Sequence, residues 1–154
     1  AGKTVKVFNN VSGGNIECVD CRFSLNGYQD SLIAVNGTFT NCRGSVTNVI
    51  NNSYCFLSSA IGILRIFGGE YYAYTRSSSA KSAVVGQSQN ESVAILNGVN
   101  APTVSRSGCY QTNAIYQLGG IVNSTDLIST LSVTVISGKS NVVGTIQANK
   151  PGQI

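Results

Sequence analysis

The chain has 154 residues, of which 10% are charged and 42% hydrophobic, with no His, Met or Trp and a formal net charge of +4. The apolar share and the presence of only two prolines exclude a disordered chain, and the length suits one domain with its own core. The ten Lys and Arg are scattered without interleaved aromatics, so nucleic-acid binding is not expected. No stretch approaches the roughly 18 uninterrupted apolar residues of a spanning helix, so membrane insertion is not expected either.

Along the chain, apolar residues come in short runs broken by Gly, Asn or Ser, and β-branched residues are prominent, which predicts strands. Residues 15–23 are strand-like. Residues 32–35, the turn pair Asn36-Gly37 and residues 38–42 follow, then 46–50 with 53–57, and 63–67 with 70–74 across Gly68-Gly69. Two segments are the best helix candidates: 77–85, opening in a serine run, and 123–131, opening on Ser124-Thr125-Asp126. Past Ala101 and Pro102 the pattern loosens, with strand-like runs at 114–122, 131–136 and 141–147.

An apolar residue, a spacer and then Gly or Asn recur with third positions at Gly37, Asn52, Gly69, Gly86, Gly98, Gly120 and Gly138. The steps are 15, 17, 17, 12, 22 and 18, a loose period of about 17. Two strands per 17 residues fit one coil of a parallel β-helix, a solenoid whose inward positions stack in columns and whose Gly and Asn corners take turns that β-branched residues resist. The fold class expected is therefore all-β, a parallel β-helix over residues 1–100 followed by a terminal β region over 101–154. The alternative is a β-sandwich or jelly roll, in which short strands also recur at turn-bounded intervals.

The five cysteines, Cys18, Cys21, Cys42, Cys55 and Cys109, are an odd number and cannot all pair; as small apolar residues they suit a core made in a reducing cytoplasm. Cys18-Val19-Asp20-Cys21 has the spacing of half a zinc site, but no second such pair and no His complete it. The paired glycines lack the following Lys and Ser or Thr of a phosphate loop. No metal site and no cofactor are expected.

Residues 15–23 and 37–42 resemble rungs of the pectate-lyase-like right-handed β-helix. That fold occurs in polysaccharide lyases and hydrolases and in bacteriophage tailspikes, and the low charge, the Ser, Asn and Gly content and the missing His are closest to the tailspikes. The resemblance covers roughly residues 11–100. It implies a homotrimer that contacts bacterial surface polysaccharide during host attachment and sits in the virion tail, outside the host cell. A chain this short matches a C-terminal piece of such a spike, with 101–154 in the trimerising part. The expected function is a structural and receptor-binding module rather than an enzyme; the alternative is a polysaccharide hydrolase or lyase on the same scaffold.

Glycoside hydrolysis uses two carboxylates flanking the bond, and six are on offer: Glu17, Asp20, Asp30, Glu70, Glu91 and Asp126. Glu70, between a Gly-Gly turn and three tyrosines, pairs best with Asp30 or Asp20 as a catalytic candidate. Tyr71, Tyr72 and Tyr74 are candidates for stacking on sugar rings, with Arg65 as a charged partner. A lyase would want Arg65 or Arg76 as a base, since His is absent. Tyr71, Tyr72, Ile121 and Leu131 are expected to face outward and to be covered by neighbouring chains.

Overall fold

The computed structural model describes residues 4–6, 16–26, 29–32, 37–48, 52–58, 62–76, 81–87, 92–101, 111–117, 119–129, 131–136 and 138–143. Among them there is no helix, and the strands assemble into three sheets. Sheet A runs in the order β1 (Thr4–Lys6), β4 (Gln29–Leu32), β7 (Ser53–Ser58), β10 (Lys81–Gln87), β13 (Gln111–Gln117) and β16 (Ser132–Val135). Sheet B holds β2 (Glu17–Val19), β5 (Gly37–Thr40), β8 (Gly62–Phe67), β11 (Ser92–Asn97), β14 (Ile121–Thr125) and β17 (Lys139–Val143). Sheet C holds β3 (Arg22–Asn26), β6 (Arg43–Asn48), β9 (Glu70–Thr75), β12 (Asn100–Ala101) and β15 (Ile128–Ser129).

Every described pairing is parallel and joins strands three apart in chain order. The chain thus visits sheets B, C and A in turn and then repeats, and the same sheets continue on both sides of Ala101. Phe39 pairs with Cys18 on one side and Ile66 on the other, not within an antiparallel hairpin.

The repeat is longer than the glycines suggested. In sheet B the paired residues Cys18, Phe39, Ile66, Leu96, Ser124 and Val142 are separated by 21, 27, 30, 28 and 18 positions, and each pass contains three strands rather than two. The shorter spacing arose because the chosen glycines belong to different corners. Gly69 and Gly98 lie between sheets B and C, Gly120 and Gly138 lead into sheet B, and Gly86 sits buried inside β10.

Both helix candidates are corrected. Residues 121–125 and 128–129 form β14 and β15, and Asp126, read as part of a helix cap, is a corner residue with φ 53°. Residues 81–87 form β10, and 77–80 lie outside the described residues. Short-range signals lost in both places to ladders on either side: β10 lies between β7 and β13, and β14 between β11 and β17.

One apolar cluster draws on all three sheets. Its centre is a chain of four rings from neighbouring strands. Phe23 meets Phe39 edge-on at 6.1 Å between centroids, Phe39 meets Phe56 at 4.8 Å, and Phe56 meets Tyr71 edge-on at 5.0 Å. Sheet C contributes Phe23 and Tyr71, sheet B Phe39 and sheet A Phe56, so these contacts tie the three sheets together, each adding about 1 kcal/mol beyond burial. Cys18, Cys42 and Cys55 are buried in the same cluster.

The turn from sheet B to sheet C recurs without change of length. Asp20, Asn41, Gly68, Gly98 and Asp126 each follow a sheet B strand and each adopt the left-handed conformation, with φ of 54, 51, 64, 66 and 53°. Gly and Asx residues are the ones that take this conformation at little cost. The backbone ladder passes around the corner unbroken: Asn41 N donates to Phe67 O (2.8 Å), Gly68 N to Asn97 O (2.6 Å) and Gly98 N to Thr125 O (2.9 Å). On the sheet C side Arg43 N donates to Cys21 O (2.9 Å) and Glu70 N to Cys42 O (3.1 Å). These bonds pair corner N–H groups with carbonyls of the neighbouring turn, so the corner needs no longer loop.

Candidate functional site

In sheet C, alternation sends Phe23 and Leu25 inward and Arg22, Ser24 and Asn26 outward. Because the pairing is in register, outward residues line up across strands: Arg22, Arg43, Glu70 and Asn100 in one row, Ser24, Ser45 and Tyr72 in a second, and Asn26, Thr47 and Tyr74 in a third. The face so formed is polar, with two cations and one carboxylate at its corner edge and an aromatic pair further along β9. Tyr72 and Tyr74 are stacked, 6.4 Å apart and 5° from parallel.

At the corner edge, Asn41 Nδ2 donates to Asp20 Oδ1 at 2.7 Å, linking left-handed residues of successive turns. Two strands on, Asn100 Nδ2 donates to Glu70 Oε2 at 3.5 Å. Asp20, Cys21, Arg22, Asn41 and Arg43 line an open pocket of about 460 Å³.

Of the residues singled out from the sequence, Glu70, Tyr72 and Tyr74 share one strand and one outward face, and Asp20 lies at the edge of that face. Glu70 is exposed, Tyr72 half-buried and Tyr74 nearly buried, so Tyr72 is the ring that offers surface. Tyr71 is different: it points inward and is fully buried against Phe56, a packing position rather than a sugar-stacking or outward one. Arg65 is half-buried on β8 in sheet B, in register with Thr38 and Ile95, away from this face. Arg76 is exposed just past β9. Asp30 belongs to β4, and its side chain lies outside the described residues, as does Cys109. Among the outward apolar candidates Ile121 is exposed, while Leu131 packs partly buried against the core.

The thiols behind the corner are set for packing. Burial, and after it the neighbouring Cys21 and Cys42 thiols, raises Cys18 above the ordinary thiol range, and burial likewise raises Cys42. Burial pushes Cys55 and the Tyr71 phenol much further up. Protonated thiols are poor nucleophiles and poor metal ligands, and among the described residues no group of three or more His, Cys, Asp or Glu is placed to hold a metal ion.

Arg22, Arg43, Asn41 and Asn100 were not singled out from the sequence. A signal for the first three exists: Asp20-Cys21-Arg22-Phe23-Ser24 is echoed 21 residues later by Asn41-Cys42-Arg43-Gly44-Ser45, an Asx-Cys-Arg-x-Ser repeat at the spacing of the β3–β6 register. The pattern of an apolar residue, a spacer and then Gly or Asn does not carry it, because the first of these corners has Asp20. No family model, curated protein or solved structure matches the chain.

Proposed function

We propose that the chain is a segment of a right-handed parallel β-helix that serves as a structural and receptor-binding module of a phage tailspike or fibre, contacting host surface polysaccharide through the outer face of sheet C. The observation that carries the reading is the register of that face. Tyr72 offers an aromatic surface beside in-register rows of Ser, Thr, Asn, Arg and Glu, the combination a hydroxyl-rich ring needs for stacking and hydrogen bonding. The three-sheet path, with strands pairing three apart, supports the β-helix part of the proposal.

The module works as a homotrimer in this reading. The outer face of sheet B carries Ile63, Val93 and Ile121 in one in-register column, with Ile95 and Phe67 beside it, and Ile63, Phe67 and Ile121 are all exposed. Chains packed around a common axis would cover this apolar strip and leave sheet C free for saccharide. Such a module would work outside the cell, at the virion tail.

Two measurements on the same sample test the reading: sedimentation-equilibrium mass, and incubation with purified bacterial surface polysaccharides read by binding and by chain length. A mass of three chains with binding and no shortening is expected. Shortening that disappears in Glu70→Gln, with Asp20→Asn as the second variant, would replace the binding module by a glycoside hydrolase. A monomer that binds none of the polysaccharides would overturn the proposal.

A further inference from the structure

The corner edge of sheet C contains a pair of cations that the fold does not use. Arg22 and Arg43 are in-register neighbours on the outward face, with backbones about 4.8 Å apart as in any parallel pair, and both are exposed. Like charges directly across a ladder destabilise it. Glu70, the next residue in the row, neighbours Arg43 but not Arg22, and its Oε2 accepts from Asn100 on its other side. Among the described residues neither guanidinium has an ion pair or a side-chain hydrogen bond. The two guanidinium groups instead border the open pocket whose remaining lining is Asp20, Cys21 and Asn41.

We propose that this pocket is an oxyanion site that takes a singly charged carboxylate, the uronate group of an acidic saccharide, between Arg22 and Arg43. Planar guanidinium forks match a carboxylate two bonds at a time, and a bound anion removes the repulsion between the pair. The carboxylates set the charge preference: Asp20 in the lining and Glu70 next in the row offset part of the two cations' charge, which suits a monoanion better than a phosphate dianion. Asp20 also holds Asn41, whose second Nδ2 hydrogen remains to donate to the ligand. The anion site stands on this geometry alone, and its assignment to a saccharide rests on the carbohydrate-binding reading of sheet C.

Three probes separate the possibilities: sodium glucuronate, an oligoglucuronate, and the same oligomer with its carboxyl groups reduced to alcohols, each titrated at fixed ionic strength. Calorimetry gives affinity, and the Nε–H signals of Arg22 and Arg43 by NMR report weak binding directly. The expected result is an affinity for the oligoglucuronate about tenfold or more above its reduced form. That preference should vanish in the Arg22→Gln/Arg43→Gln double variant, which should unfold at the same or a higher temperature than the parent because a repulsive pair is gone. Equal binding of both oligomers by parent and double variant would overturn the carboxylate site and leave the saccharide face standing. Glucuronate shifting both arginine signals while neither oligomer binds would keep the anion site and overturn the saccharide reading. Binding of none of the three would overturn the site.

Discussion

Gly68 and Gly69 are chain neighbours with positive φ, yet replacing them should give opposite results. A Cβ on Gly68 meets nothing within 4 Å, whereas a Cβ on Gly69 would overlap the Cys42 carbonyl oxygen directly below it. Gly69→Ala should therefore cost about 3 kcal/mol or more, combining the left-handed penalty with a backbone clash that cannot relax without shifting the corner. Gly68→Ala should cost about 1 kcal/mol, and Gly68→Asn close to none, since Asn tolerates the conformation and would extend the Asn41-to-Asp20 contact by one turn. Urea midpoints of the three variants check this ranking. Cys55 and Tyr71 supply a second residue-level outcome. Burial raises both above their ordinary values of 9.0 and 10.0, so the unfolded chain releases these protons before the folded one does. Their stabilising share is complete below pH 9; it is lost for Cys55 as pH climbs beyond 9 and for Tyr71 as pH climbs beyond 10. Unfolding midpoints measured from pH 7 to 11 should hold level and then fall, and Cys55→Ala should shallow the decline.

Among the strands, the ring chain Phe23, Phe39, Phe56 and Tyr71 predicts where cooperativity resides. Phe39 is fully buried and touches rings from both other sheets, so Phe39→Ala should cost about 4 kcal/mol and loosen all three sheets together. Far-UV circular dichroism and tyrosine fluorescence should then report one shared, lower urea midpoint rather than two. The elements also show how far the candidate site was legible. Glu70, Tyr71, Tyr72 and Tyr74 are legible in the sequence as one local group after the Gly68-Gly69 turn. Tyr71 was misassigned because neighbouring strand residues point to opposite sides, so Tyr71 and Tyr72 cannot both face outward, and burial shows that Tyr71 is the inward one. Arg22 and Arg43 become neighbours only through a 21-residue register, and Asp20 meets Asn41 across the same distance. Neither short segment announces that contact alone; only the Asx-Cys-Arg-x-Ser repeat between the two does.

For the whole molecule, the outer face of sheet B yields the decisive expectation. If three copies pack on it, Ile63→Lys should reduce the solution mass from about three times 16.1 kDa to that of a single chain, while far-UV circular dichroism stays unchanged. A retained trimer would assign assembly to another surface. At this scale the sequence by itself determined the class of structure: low charge, abundant β-branched residues and frequent Gly and Asx breaks dictate short strands and tight corners. Those are local preferences of φ and ψ, and they are written in neighbouring residues. The cycling of the chain through three parallel sheets, the spacings of 18 to 30 residues between paired strands of sheet B and the outward rows of sheet C were decided only in the tertiary structure. Parallel ladders join residues that the chain keeps far apart, and loops of different length can separate the same two partners, so a fixed period has no physical reason to appear in the sequence.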